Sequence, residues 1–112
     1  YLRPHRHEDI EFWVGLRGDA RLVEFNDGGE IIRVHKFGPD PSIGQVTLYR
    51  VPSMRWHSAF AVENDFVLIN FSEGPFNPNS YKEFASWAPD ERDSEKGRIY
   101  LRELQKRVSE FS

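Results

Sequence analysis

HRHEDIEFWVGLRG, residues 5–18, sets two histidines one position apart, then a carboxylate at Glu11, then an apolar run closed by Gly18. In a strand, side chains alternate with period two, so Arg3, His5 and His7 project from one face. On a helix His5 and His7 would lie roughly 200° apart and could not share an ion. Pro4 also disfavours a helix interior. Two imidazoles on one strand face can both reach a metal at about 2.0–2.1 Å. Glu8 and Asp9 form a turn, after which Glu11 opens the next strand and returns toward the same face. Two nitrogens and one oxygen make a facial set with open positions, suited to a first-row divalent ion.

The rest of the first two-thirds also reads as β. ARLVEFNDGGEIIRVHKF (20–37), IGQVTLYRVP (43–52) and DFVLINFS (65–72) are short runs rich in Val, Ile, Phe and Tyr, separated by turn residues. NDGG at 26–29 is a hairpin signal, because Asn, Asp and Gly tolerate positive φ. The two prolines of GPDPS (38–42) break the ladder again. Strands at this spacing suggest a barrel or a sandwich. The segment 73–93 holds three prolines and reads as a loop, with one helical turn expected around Tyr81–Ala85. From about Ser94 the period becomes helical: Leu101, Leu104, Val108 and Phe111 form a stripe, with Asp93 or Ser94 as the cap. The expectation is a single domain over 1–112, with strands to about 72 and a helix over about 94–111.

Composition narrows the class. Apolar residues make up 38% and charged residues 29% of the 112, with a net charge of −3, as in an ordinary globular domain. An acidic chain offers no electrostatic reason to expect nucleic acid. No apolar run approaches the ~20 residues of a membrane span, and none resembles a signal peptide, so cytoplasmic residence is expected. Without cysteine, a metal must be held by histidine and carboxylate.

RVPSMRWHSAF (50–60) supplies a fourth ligand, His57, just past a proline-marked bend. A lone histidine in a β-protein is more often a hydrogen-bonded residue than a ligand, and His35 in IIRVHKF is read that way. Around the ligands, Arg3 either anchors an anionic group of a substrate or pairs with a nearby carboxylate. Trp13 shares the side of Glu11 and is either a sugar platform or core. Arg55, beside His57 in the bend, is a candidate for the rim. Lys82–Glu91 either folds across the mouth of the fold or packs Trp87 on the outer sheet.

HRHEDIEFWVGLRG resembles the first motif of the cupins, HxHx3Ex6G, with His5, His7, Glu11 and Gly18 in place. GQVTLYRVPSMRWH (44–57) resembles the second, with Gly44, Pro52 and His57. RPHRH (3–7), EGPF (73–76) and KEFASWAPDE (82–91) extend the similarity, over nearly the whole chain, to the WbuC-type cupin metalloproteins. The resemblance implies a jelly-roll β-barrel of the cupin type with a C-terminal helix. It also implies one divalent transition-metal ion (Zn, Fe, Mn or Ni) on His5, His7, Glu11 and His57. The implied activity is that of an enzyme, an isomerase, lyase, hydrolase or oxygenase, acting on a sugar or sugar-nucleotide derivative in surface-polysaccharide biosynthesis. A non-catalytic metal-dependent binding module and a metal-free sugar epimerase are the alternatives. The expected partners are a small polar or anionic metabolite and a second copy in a homodimer. The chain departs from the pattern at Met54, where the motif has glycine, and at Ala61, where it has asparagine. The glycine expected six residues before His5 would precede Tyr1, so an N-terminal segment is expected to be missing.

Overall fold

Two antiparallel sheets face each other across an apolar core, and a C-terminal helix covers the outer face of the larger sheet. The computed structural model describes residues 1–62, 65–72 and 82–111. Among the described residues the strands are β1 (His5–Arg6), β2 (Glu11–Arg17), β3 (Ala20–Phe25), β4 (Ile31–Phe37), β5 (Leu48–Val51), β6 (Trp56–Ala61), β7 (Val67–Ser72) and β8 (Glu83–Phe84), followed by helix α1 (Ser94–Glu110). The larger sheet has the order β4-β3-β6-β1-β8 and the smaller one β5-β2-β7. The described strands thus form two sheets and not one closed barrel. The chain crosses repeatedly between them, and that crossing brings β1, β2 and β6 around one end of the core.

β3 explains why the larger sheet holds the molecule together. Its inward residue Leu22 packs with Trp13, Phe37 and Val51 between the sheets, while Val23 and Phe25 on its other face pack with Trp56, Ala85, Ala88 and Leu104. Both faces are covered, so apolar side chains point to either side of β3. The β3–β4 hairpin is closed by Asn26, whose side-chain oxygen accepts from the Gly28 and Glu30 amides at 3.0 and 2.9 Å. Gly29 follows with φ +86°, and a Cβ there would meet the Trp87 ring at 2.7 Å. Glycine is needed both for the turn and for that approach.

α1 starts at Asp93, whose carboxylate accepts from the Lys96 amide at 3.0 Å. The buried line of the helix runs through Gly97 and Leu104, with Tyr100 and Val108 packed against the core. The predicted stripe was therefore displaced by part of a turn: Leu101 is half-buried and Phe111 is exposed past the helix end. A second correction concerns 73–93. The expected helical turn near Tyr81–Ala85 is a two-residue strand, β8, where His5 pairs with Phe84 and Arg6 with Glu83; Tyr81 itself lies outside the described residues. Trp87 packs on the outer face of the large sheet, 5.0 Å from the Phe25 ring and 5.9 Å from that of Trp56. No helix among the described residues is long and apolar enough to cross a membrane.

Candidate metal centre

Strand pairing, more than sequence proximity, assembles the site. β1 and β6 run antiparallel with His5 directly opposite His57, so the two side chains share the inner face. The imidazole centroids of these residues are 4.3 Å apart, and His7 completes a triangle at 5.1 Å from His57 and 5.9 Å from His5. His7 lies just past β1, where its carbonyl accepts from the Met54 amide at 2.8 Å. Met54 sits at φ 58°, the left-handed region that glycine occupies without strain. The bend there keeps the geometry a glycine would favour, and it ties His7 to the segment that delivers His57.

Each imidazole is oriented by the backbone. Nδ1 of His5, His7 and His57 lies 2.8 Å from the carbonyl of Arg3, Asp9 and Arg55 respectively. A carbonyl only accepts, so Nδ1 carries the proton in all three, and each Nε2 is left with a bare lone pair. All three rings are buried, at 3–7% exposure, and their facing nitrogens lie within 4.8 Å of one another. Nε2 of His57 has no hydrogen-bond partner, and Nε2 of His7 has only the Glu11 carboxylate beside it. Buried nitrogen lone pairs without donors are costly, and three converging ones are more so. Nitrogens about 2.0–2.1 Å from a shared ion would lie roughly 3–4 Å apart, a spacing that this envelope contains. Three imidazole nitrogens so placed could hold a metal ion.

Glu11, at the start of β2, brings a carboxylate oxygen to 3.2 Å from His7 Nε2. With Nδ1 protonated, the neutral His7 offers only an acceptor to that oxygen, so something positive belongs between the two. Without a metal it is a proton: contact with Glu11 raises the His7 pKa above the usual histidine value. Burial works against ionised Glu11, but hydrogen bonds from His7 and Trp13 outweigh it and hold the carboxyl at about 2. Burial drives His57 the opposite way, to about 3, and the neighbouring His5 charge adds to this; His5 is itself lowered by burial. A cation in the site would take the place of the proton between His7 and Glu11, with neutral imidazoles and an ionised carboxylate as its ligands.

Trp13 is core, 4% exposed, and its indole N–H donates to Glu11. Asn70 on β7 donates to the same oxygen at 3.2 Å. Sequence reasoning missed Asn70, although a polar residue at the inward phase of VLINFS, opposite Trp13 in register, was a usable signal. The two arginines go elsewhere. Arg3 gives both Nε and Nη2 to the Ala85 carbonyl, at 3.2 and 2.8 Å, with Asp90 at 3.9 Å. Arg55 pairs at 2.8 Å with Glu24, which also receives His35 Nε2 at 2.8 Å. His35 is thus a hydrogen-bonded residue apart from the three clustered imidazoles. Glu24, 2% exposed, was also missed; these partners and Tyr49 hold it ionised against the burial that opposes charge. The chain matches no known family model and no curated protein.

Proposed function

We propose that this chain is a cupin-type metalloprotein that holds one divalent transition-metal ion on His5, His7, His57 and Glu11 and presents it to a small polar metabolite. One observation carries the reading: three buried imidazoles, their Nδ1 atoms tied to carbonyls, turn bare Nε2 lone pairs toward one point. The reading is supported by the two facing sheets, by ligands on or next to β1, β2 and β6, and by Met54 at a glycine-like bend. A bound divalent ion would polarise a carbonyl or lower the pKa of a water, supporting isomerase, lyase or hydrolase chemistry. The chain's own part is to orient the imidazoles, keep Glu11 ionised and exclude bulk water from the ligands. A sugar or sugar-nucleotide substrate rests on the resemblance to the WbuC-type proteins.

A non-catalytic binding module is the second reading. It is favoured by the carboxylates nearest the imidazoles: Glu11 is taken by Trp13 and Asn70, and Glu24 by His35 and Arg55, leaving neither as a ready general base. Incubating metal-loaded protein with a panel of sugar nucleotides, read by thermal shift and by product chromatography, separates the two. Metal-dependent product formation supports the enzyme. Metal-dependent stabilisation without product leaves the binding module, and neither response refutes the sugar-nucleotide proposal.

A further inference from the structure

The β1–β8 pairing carries a consequence for the ligand. His5 faces Phe84 and Arg6 faces Glu83, and Lys82, one residue before β8, has the parity of Phe84. Residues opposed in this way share a face. Arg6 and Glu83 confirm it on the outer side with a 2.8 Å ion pair, and His5 and Phe84 on the inner side with rings 6.4 Å apart. By alternation Lys82, which is exposed, belongs to the same side of β8 as Phe84, the imidazole side. Unlike Arg3, Arg6 and Arg55, Lys82 makes no ion pair among the described residues.

An ammonium beside a cation site is unfavourable by itself. With neutral imidazoles, a divalent ion and Lys82 are set against the single carboxylate of Glu11, so the loaded centre keeps a net positive charge. We propose that Lys82 is the recognition group for an anionic ligand, its ammonium pairing with a carboxylate or phosphate oxygen of a small molecule seated at the three imidazoles. The inference rests on the metal reading above and adds the charge class of the ligand. It also moves the anion-binding role from Arg3, whose guanidinium is engaged with Ala85, to a residue three-quarters of the chain away.

The test uses the full chain loaded with Co(II), with inorganic phosphate and acetate as separate probes titrated at low salt by calorimetry and by the visible spectrum of the ion. Lys82→Gln should weaken the preferred anion about tenfold, as loss of a charge-assisted hydrogen bond does, and Lys82→Arg should restore most of the affinity. Co(II) affinity, titrated without anion, should be unchanged or higher in Lys82→Gln because a like charge is removed. The stronger probe tells carboxylate from phosphate. Equal anion affinity in the unsubstituted protein and Lys82→Gln overturns this inference alone, as does a protein that takes Co(II) and binds neither probe. Failure of the unsubstituted protein to take up Co(II) overturns the metal reading, and this inference with it.

Discussion

Replacing Met54 by glycine should leave the protein more stable than replacing it by alanine, although alanine is ordinarily the better residue. Met54 holds φ 58°, and an L-residue in the left-handed region pays about 1–2 kcal/mol for the approach of Cβ to the carbonyl. The side chain is 42% exposed, so its deletion forfeits only part of the ~2 kcal/mol that full burial would represent. Glycine also costs about 0.4–1 kcal/mol through the freedom it adds to the unfolded chain. Comparison with Met54→Ala cancels the side chain: alanine loses the same packing and keeps the strained Cβ. Glycine should therefore exceed alanine by about 0.5–1 kcal/mol, or roughly 2–8 °C in Tm for a domain of this size. Urea and thermal unfolding of the two variants, in metal-free buffer, measure the difference. If Met54→Ala equals or exceeds Met54→Gly, the bend relaxes in solution. The argument that it holds the His7 carbonyl and His57 in fixed relation would then fail.

Three further outcomes follow from the same geometry. Trp13→Phe removes a donor to Glu11 while keeping an aromatic core residue, and should lower metal affinity about 10- to 100-fold as outer-shell substitutions do; unchanged affinity in a competition titration would free Glu11 from that dependence. Gly29→Ala introduces a Cβ 2.7 Å from the Trp87 ring at φ +86° and should cost about 2 kcal/mol or more in urea unfolding, so a neutral result would show that the Trp87 contact is loose. The third concerns acid. His57 is lowered to about 3 by burial, so between the unfolded value near 6.5 and pH 3 the unfolded chain binds a proton that the fold does not, and stability falls with pH. From pH 7 to pH 5 this amounts to about 2 kcal/mol in metal-free protein. His7, raised by Glu11, works the opposite way: its contribution is full below the unfolded value and is lost as pH rises. His57→Phe should therefore flatten the acid limb, and an unaltered slope would show that His57 is not held neutral.

Period-two alternation made β2, β3, β4, β5 and β7 legible, along with the placing of His5 and His7 on one face, whereas β6 was read only as a bend that carries His57. The hairpin at 26–29 and the Asp93 cap were equally visible, because the local chemistry of Asn, Gly and Asp dictates those conformations. β8 was not legible. Two residues carry no period, and Glu83–Phe84 is a strand only because β1 leaves an edge for it to pair with. Glu24 escaped for a related reason. A carboxylate in ARLVEF reads as solvent-facing by its charge, yet both faces of β3 are covered and the carboxylate is buried among His35, Arg55 and Tyr49. Arg3 and Arg55 stand next to the ligands in sequence, but the direction of a long side chain is decided by its partners, here Ala85 and Glu24. The carbonyls that set the histidine tautomers have no sequence identity at all.

Metal stoichiometry across a set of single variants tests the central claim most directly. The full chain is dialysed against Zn(II), Mn(II), Fe(II) or Ni(II) at neutral pH and analysed for bound metal beside His57→Ala and His35→Ala. The geometry predicts one equivalent per chain for at least one of these ions, its loss or a large weakening in His57→Ala, and full retention in His35→Ala, whose imidazole is engaged with Glu24. No stoichiometric uptake by the unsubstituted chain, or equal loss from both variants, would contradict it.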